Sequence, residues 1–369
     1  MRFHLLDIFR GLAAFWVLLH HYPYSSNLAE SAPLLQNFVK NGHLGVCLFF
    51  VISGYCITAS ACKSIRVAES PNRFLQRRLF RILPPFWCSI LVGVSIPFLL
   101  SILSLLKTGV WLSPDFSKVA HANFSWVDWF QIATLTRGFA WSQDSTLFGR
   151  WAGFNTPYWS LAIEAQFYVV VFLALKLKWN IRYFISIVTV ASLISLAVPN
   201  FDQSGFFLPY WPTFGLGCFL FFAPQSRGGW QVIFKWLGVL AGIGCIFLSL
   251  SPIDFASQSK SLLMGAGFSI FLYPFNQVSA KKDDEPRARN SLTDSLMAVA
   301  SILGAASYSI YLIHAKLFLI AIVFTRNVSL PDWFRDLSGI LITLLGCLVF
   351  YFLFEKPFLH ISSRRKPGA

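Results

Sequence analysis

The sequence predicts an all-α, polytopic membrane protein with about ten transmembrane helices. Hydrophobic residues make up 56% of its 369 residues and charged residues only 12%, whereas about a quarter of the residues in a soluble domain are charged. Several apolar stretches exceed the roughly 18 residues that a spanning helix needs. We therefore expect residues 1–369 to form a single membrane domain, with apolar stretches at 5–22, 43–62, 83–106, 158–175, 182–198, 206–223, 231–250, 259–275, 299–324 and 337–355.

The positions of Lys and Arg predict how these stretches are oriented. If the N-terminus is cytoplasmic and every stretch crosses once, 21 Lys and Arg residues fall on the cytoplasmic side, 8 fall outside, and Lys316 falls within a span. Cytoplasmic connections of membrane proteins carry an excess of these residues. The asymmetry therefore predicts that both termini are cytoplasmic.

The same asymmetry accounts for the formal net charge of +14, because anionic lipid on the inner leaflet attracts basic loops. No run of basic residues is interleaved with stacking aromatic residues, so we predict no nucleic-acid partner. The seven cysteines show neither CxxC spacing nor pairing with histidine, which favours apolar packing over metal binding. We predict no metal site and no permanently bound cofactor.

The first apolar stretch, LLDIFRGLAAFWVLLHHY, carries Arg10 and His21. Eleven residues make about three helical turns, so these two side chains lie on nearly the same stripe of a helix, whereas His20 is rotated by about 100°. Ionisable side chains at membrane depth are costly, and they usually face a cavity where chemistry or transport occurs. One face of this helix is therefore predicted to carry a fixed cation and a proton-transfer group.

The segment FLQRRLFRILPPF places Arg78 and Arg81 on one helical face just before the third stretch. Guanidinium groups bind phosphate bidentately, so this pair is a candidate phosphate site. Anchoring on the cytoplasmic side of the membrane is the alternative explanation. Pro84 and Pro85 are expected to end or bend this turn.

An acidic residue, Glu164, lies within the fourth apolar stretch in YWSLAIEAQFY. A carboxylate with apolar neighbours on both sides needs a partner, whether its role is functional or structural. Tyr168 is four residues away and shares its helical face, and Trp159 lies at the start of the stretch. In the long connection before it, residues 126–134 are predicted to form a short interfacial helix.

A polar stripe occurs in the ninth stretch, SYSIYLIH, where Ser307, Tyr311 and His314 recur at helical spacing beside Tyr308. A hydrogen-bonded structural histidine and a catalytic one explain His314 equally well. Glu355, at the end of the last stretch, is expected to order the end of that helix.

Together these segments resemble the acyltransferase-3 family of integral membrane O-acyltransferases. Arg10 and His21 fit the family's Arg-x10-His signature, and Arg78 and Arg81 fit its Arg-x-x-Arg pair. GVCLFFVISGYCIT, YWSLAIEAQFY and SYSIYLIH follow the family's pattern in the expected order. The resemblance extends over almost the whole chain. Two departures are a phenylalanine at residue 9, where the family often has leucine, and the second histidine at residue 20.

The resemblance implies transfer of an acyl group, usually acetyl from acetyl-CoA as co-substrate, to a hydroxyl of a carbohydrate-containing envelope, exopolysaccharide or secreted acceptor. A multi-pass location in the bacterial inner (plasma) membrane is expected. Under this hypothesis acyl-CoA binds to Arg10, Arg78 and Arg81. His21 acts as the general base or carries the acyl group briefly, and Glu164 orients or charge-balances His21. The acceptor path is expected to be lined by Trp159, Tyr168, Tyr308 and His314.

A different class of function, a proton-coupled transporter or flippase for a small solute or lipid-linked sugar, also fits some of these residues. In that case Arg10, His21 and Glu164 form a proton relay. No internal repeat is evident in the sequence, which disfavours a transporter built from two matching halves. The acyltransferase hypothesis further requires one continuous pocket that joins the arginines to His21.

Overall fold

The computed structural model describes residues 4–22, 33–111, 124–140, 146–223, 229–251, 253, 257–275, 291–325 and 331–359. These residues are 86% helical and include no strand, which confirms the predicted all-α class. In chain order the helices are α1 His4–His21, α2 Pro33–Lys40, α3 Gly45–Arg66, α4 Pro71–Thr108, α5 Trp126–Ala133, α6 Leu147–Ala152, α7 Tyr158–Lys176, α8 Ile181–Ser195, α9 Trp211–Phe222, α10 Gly229–Ser249, α11 Ser257–Leu272, α12 Ser291–Ala305, α13 Ser307–Thr325 and α14 Asp332–Phe350.

Each of the ten predicted apolar stretches contains a helix, and five helical segments of the described chain are long and apolar enough to cross a membrane. These are Pro33–Arg66, Pro71–Leu106, Tyr158–Lys176, Ser307–Thr325 and Asp332–Leu359. Three further apolar helices are shorter, at Ile181–Ser195, Leu208–Phe222 and Trp236–Ser249. The protein is thus a multi-pass membrane protein, whereas the count of ten spans and the cytoplasmic termini stay predictions.

The outer surfaces of several helices carry large apolar side chains that the protein leaves uncovered, among them Leu91, Ile194, Leu240 and Leu345. A bilayer covers such side chains, whereas water does not. Helix α1 is not among the five long apolar segments, because Asp7, Arg10 and its histidines lower its mean hydropathy. It instead packs against α3, α12 and α13.

Helix α4 differs from the expectation for the third stretch. It begins at Pro71, where the Ser70 hydroxyl accepts a hydrogen bond from the Arg73 amide, and it continues through Pro84, Pro85 and Pro97. The pair Pro84–Pro85 therefore does not end the helix. Missing proline N–H groups leave main-chain carbonyls without helical donors, and neighbouring helices can supply side-chain donors at such places. Pro84 and Pro85 free the carbonyl oxygens of residues 80 and 81, and the Tyr308 hydroxyl donates to the next carbonyl along the chain, that of Ile82, at 2.7 Å.

Two other expectations concern helix boundaries. The predicted stretch at 299–324 is divided, because α12 ends at Ala305 and α13 begins at Ser307.

The short helix predicted at residues 126–134 is present as α5. A capping box formed by Ser125 and Asp128 begins this helix. The Ser125 hydroxyl and the Arg137 guanidinium lower the pKa of Asp128 to about 2, so this carboxylate is charged near neutral pH.

A close helix crossing between α3 and α9 organises the centre of the bundle. A Cβ atom built on Gly54 would lie 2.0 Å from the Phe214 carbonyl oxygen, and one built on Gly217 would lie 1.9 Å from the Val51 carbonyl oxygen. Small residues at such crossings let two backbones approach closely within a membrane. This crossing places Phe50 of α3, which is buried, in edge-on contact with Phe167 of α7 at 5.3 Å.

Gly217→Ala is expected to lower thermal stability, because overpacking a well-packed core costs about 1–3 kcal/mol. Gly244→Ala is the matched control in α10, where an added Cβ meets nothing within 4 Å in the described chain. Alanine is favoured over glycine in a helix by about 1 kcal/mol, so the control should unfold at the same or a higher temperature. Equal unfolding midpoints for both variants in detergent would contradict the tight crossing.

Candidate active site

Two cavities lined by described residues contain most of the predicted site residues. The first, which we name the arginine cavity, has a volume of about 80 Å³, the space of a few water molecules. Residues from α1, α3, α4, α7 and α13 line it, and among them are Arg10, Arg78, Arg81, Glu164, Tyr168 and Tyr308. Three arginines and one glutamate leave a formal charge of +2 on its walls.

The three arginines of this cavity differ in what they bind. Arg10 donates to the Asp7 carboxylate at 3.0 Å and to the Cys56 sulfur at 3.7 Å. Arg78 donates to the Cys56 carbonyl oxygen at 3.2 Å. Arg81 lines the cavity and is exposed. In the part of the chain that the structure describes, neither Arg78 nor Arg81 forms an ion pair with a carboxylate. The cavity therefore presents two guanidinium groups that an anion can bind.

Glu164 is held by two hydroxyl groups rather than by a histidine. Its Oε1 accepts hydrogen bonds from the Ser53 hydroxyl at 2.6 Å and from the Tyr168 hydroxyl at 2.9 Å. Within the described residues it makes no hydrogen bond or ion pair with His21. Helix α7 packs against α3 and α4, so the fourth stretch lies on the second and third stretches and keeps Glu164 in the arginine cavity.

The second cavity, which we name the histidine cavity, has a volume of about 370 Å³. This lies within the usual range for small-molecule sites, about 300–1,000 Å³. Its walls combine imidazole, amide, hydroxyl and aromatic groups, including His20, His21, His43, Trp159, Asp202 and Tyr210. The Trp159 and Tyr210 rings lie side by side, with centroids 5.1 Å apart.

Hydrogen bonding distinguishes His21 from its neighbours. The Nδ1 atoms of His20, His43 and His314 lie 3.2, 3.3 and 2.8 Å from the carbonyl oxygens of residues 39, 40 and 310. A carbonyl oxygen only accepts, so each of these Nδ1 atoms carries the hydrogen. His21 makes no hydrogen bond with any described residue, and its half-buried ring faces the histidine cavity. It is therefore the imidazole of this group with both ring nitrogens available, whereas His20 and His43 offer only Nε2 to a molecule in the cavity.

The two cavities adjoin at Phe50 and Tyr311, which line both of them. The Tyr311 hydroxyl donates to the Pro157 carbonyl oxygen at 2.7 Å and lies 2.5 Å from the Ser160 hydroxyl. Phe50 contacts Trp159 edge-on, with ring centroids 6.3 Å apart. The single continuous pocket expected from the sequence is thus two neighbouring chambers with an aromatic partition.

The predicted site residues divide between these chambers. Arg10, Arg78, Arg81, Glu164, Tyr168 and Tyr308 share the arginine cavity, whereas His21 and Trp159 line the histidine cavity. His314 is fully buried behind His21, and their ring centroids are 5.4 Å apart. The expected proximity of Glu164 to His21 is not observed, because the partition lies between their cavities.

Several residues that line the two cavities were not predicted from the sequence. Ser53 and Cys56 lie on one face of the motif GVCLFFVISGYCIT, so helical spacing from Phe49 would have indicated them. His43 and Asp202 belong to separate segments, and no spacing in the sequence connects them with His21. Glu355 accepts hydrogen bonds from the Ser309 amide and hydroxyl and so holds the π-helical turn Tyr351–Glu355 to α13, in keeping with its expected ordering role.

The described residues contain no group of three His, Cys, Asp or Glu side chains that could hold a metal ion.

Residues 3–352 match the acyltransferase-3 family, which is described as an acyltransferase domain. The chain therefore belongs to this family of acyltransferases. No solved structure matches the chain.

Named relatives agree with this class. The chain is 26% identical over 84% of its length to a Komagataeibacter xylinus protein named membrane-bound transacylase BcsY, of which it covers 71%. It is 32% identical over 58% of its length to the O-acetyl transferase of Shigella phage Sf6, of which it covers 59%. It is also 27% identical over 95% of its length to the peptidoglycan O-acetyltransferase OatA of Listeria monocytogenes, of which it covers 55%. The chain thus spans little more than half of the latter two proteins.

Glu164→Leu is expected to destabilise the fold by about 1–3 kcal/mol, because the Ser53 and Tyr168 hydroxyls lose their acceptor. Glu164→Gln keeps an amide oxygen in the same place and should cost much less. Thermal unfolding in detergent compares the two variants with the unchanged protein. Equal losses for both would show that the two hydrogen bonds contribute little to stability.

Proposed function

We propose that residues 1–369 act as one acyltransferase-3-like membrane domain, a membrane-bound O-acyltransferase of the bacterial inner membrane. It moves an acyl group, usually acetyl, from cytoplasmic acyl-CoA to a hydroxyl of a carbohydrate-containing envelope, exopolysaccharide or secreted acceptor. Acyl-CoA is a co-substrate here and not a permanently bound cofactor. The observation that carries the proposal is the pair of adjoining chambers. Among the described residues, one chamber has two guanidinium groups without a carboxylate partner and the other has an imidazole, His21, without a hydrogen bond.

The arginine cavity suits the donor. Acyl-CoA carries anionic phosphates, and Arg78 and Arg81 offer guanidinium groups without carboxylate partners among the described residues. An enclosed volume of about 80 Å³ is too small for the nucleotide. We therefore place the phosphates at the open side, where Arg81 is exposed, and the thioester end inside. Arg10, anchored by Asp7, lies farther along the same chamber and completes the donor site.

The histidine cavity suits the acceptor. Its larger volume and its mixture of aromatic and polar walls are typical of a carbohydrate site, since sugars present both C–H faces and hydroxyl groups. Trp159 and Tyr210 supply the aromatic surface, and His21 faces the same space. The names of the relatives support an oxygen-linked acetyl product, because two of them are named O-acetyltransferases.

Transfer then requires the acyl group to pass between Phe50 and Tyr311, the residues common to both chambers. His21 removes the proton of the acceptor hydroxyl as a general base. The acceptor oxygen forms a bond with the thioester carbon, the carbon–sulfur bond breaks, and the proton passes from His21 to the leaving thiolate, which gives free CoA.

In the proposed reaction Glu164 acts within the arginine cavity and does not contact His21. Its carboxylate offsets part of the positive charge of the arginine cavity and fixes Tyr168. Family membership and the names of the relatives favour acyl transfer over the transporter or flippase considered from the sequence. Acyl-CoA-independent transport of a sugar in vesicles would reverse that preference.

Arg78→Gln and Arg81→Gln are each expected to weaken CoA binding about 10- to 100-fold. Hydrogen bonds to charged groups contribute about 1.5–3 kcal/mol, and about 1.4 kcal/mol is tenfold in affinity. Arg66→Gln is the matched control, since it removes the same charge at the exposed end of α3. Titration calorimetry of CoA in detergent measures the affinities. Unchanged affinity in the cavity variants would limit both arginines to orienting the protein in the membrane.

His21→Ala is expected to lower acyl transfer about 10²- to 10⁴-fold, the usual contribution of a general base, without weakening CoA binding. His20→Ala makes the same chemical change one residue away, at a ring bonded to the Val39 carbonyl, and should cause a much smaller loss. The assay is release of free CoA from acetyl-CoA by the purified protein with candidate glycans. Full activity of His21→Ala would remove the proposed base.

A further inference from the structure

We infer that His314 is the positioning residue for His21, and that the two form a histidine–histidine pair in place of the histidine–carboxylate pair common in enzymes. The inference rests on the proposed function, in which His21 is the base. In this pair His314 accepts a hydrogen bond from one ring nitrogen of His21. The other ring nitrogen of His21 is then unprotonated and faces the acceptor hydroxyl.

The state of His314 follows from its surroundings. Its Nδ1 lies 2.8 Å from the Ile310 carbonyl oxygen, so this atom carries the hydrogen and Nε2 is an acceptor. The ring is fully buried, and Nε2 has no hydrogen-bond partner among the described residues. A buried acceptor without a donor destabilises the folded protein. Such an atom in a native site calls for a partner that arrives during function.

The only described ring with free nitrogens beside His314 is that of His21. The ring centroids are 5.4 Å apart and the ring planes are inclined by 34°. A hydrogen bond of about 3 Å between two ring nitrogens places imidazole centroids about 5 Å apart. A small rotation of His21 therefore suffices to form the bond, and catalytic hydrogen bonds commonly tighten only when substrate binds.

Other groups near His21 are less suited than His314 to accept a hydrogen bond from its ring. Glu164 lies in the other cavity and is bonded to Ser53 and Tyr168. Asp202 lines the histidine cavity, but one of its carboxylate oxygens accepts from the Gln203 amide at 2.6 Å. The His20 ring lies closer to His21, with centroids 5.0 Å apart, but its plane is inclined by 70° and it lines the open cavity, where a bound molecule or water can satisfy its Nε2, whereas the His314 ring is fully buried. His43 lines the same cavity and contacts His20 rather than His21. His314 alone approaches His21 from the protein interior, in the described part of the chain.

The pair has a defined role in the proton transfer. As His21 takes the proton of the acceptor hydroxyl it becomes an imidazolium, and its second N–H points at the neutral Nε2 of His314. The proton stays on His21 and then moves to the leaving thiolate, so His314 begins and ends the reaction neutral. His314 thus selects the tautomer and orientation of His21, as the aspartate does in the serine protease triad.

The test compares two amides at residue 314. In His314→Gln the side-chain oxygen can reach the position of Nε2 and accept from His21. In His314→Asn the shorter side chain reaches only the position of Nδ1 and leaves His21 without that acceptor. Both variants are polar and similar in size to histidine, so a loss caused only by packing should be similar in the two. Rates of acetyl-CoA turnover, unfolding temperature and CoA affinity are measured for each.

We expect kcat to fall roughly 10- to 100-fold in His314→Asn, a part of the general-base contribution, with the KM for acetyl-CoA and the unfolding temperature little changed. His314→Gln should retain activity within a few-fold of the unchanged protein. Equal activity of the two variants, whether high or low, would overturn the inference. His21→Ala in the same assay distinguishes a failure of the proposed function from a failure of the histidine pair. If His21→Ala is fully active, the proposed base is wrong. If it is inactive while His314→Asn is active, only the pair is wrong.

Discussion

The cost of holding charge inside a membrane protein is the constraint on which this structure depends. An arginine or glutamate at membrane depth is tolerated only when it is paired or faces a polar cavity. Here Arg10 is paired with Asp7 and Glu164 is bonded to two hydroxyls, while Arg78 and Arg81 are left to face the arginine cavity. Helices α1, α3, α4, α7 and α13 surround that charge, and this arrangement preserves a site for an anion in an apolar protein.

The aromatic partition turns one charged interior into two chambers with different chemistry. Phe50 owes its place to the crossing of α3 and α9, where glycines let the backbones meet, and Tyr311 is fixed by Pro157 and Ser160. One chamber carries positive charge and little volume, and the other has ample volume, imidazole and amide groups and the carboxylate of Asp202. In the acyl transfer that we propose, such a division gives an anionic donor and a carbohydrate acceptor separate sites.

Much of this fold could be predicted from the sequence, because a helix that faces lipid needs an apolar composition and apolar residues at helical spacing. The apolar stretches gave helices in every case, and the arginine pair of α4 lies on one face as its spacing predicts. The helices differ from the predicted stretches at two places. Helix α4 continues through Pro84 and Pro85, and the stretch at 299–324 is divided into two helices.

The sequence by itself determined the class of the protein, its helices, and which side chains share a helical face, since these depend on the order of residues along single segments. Only the tertiary structure decided which faces meet. It placed α7 on α3 and α4, so that Glu164 lies away from His21, and it placed His314 behind His21. The physical reason is that helix packing is set by the fit of surfaces distant in sequence, such as the glycines of α3 and α9, and no spacing within one segment records that fit.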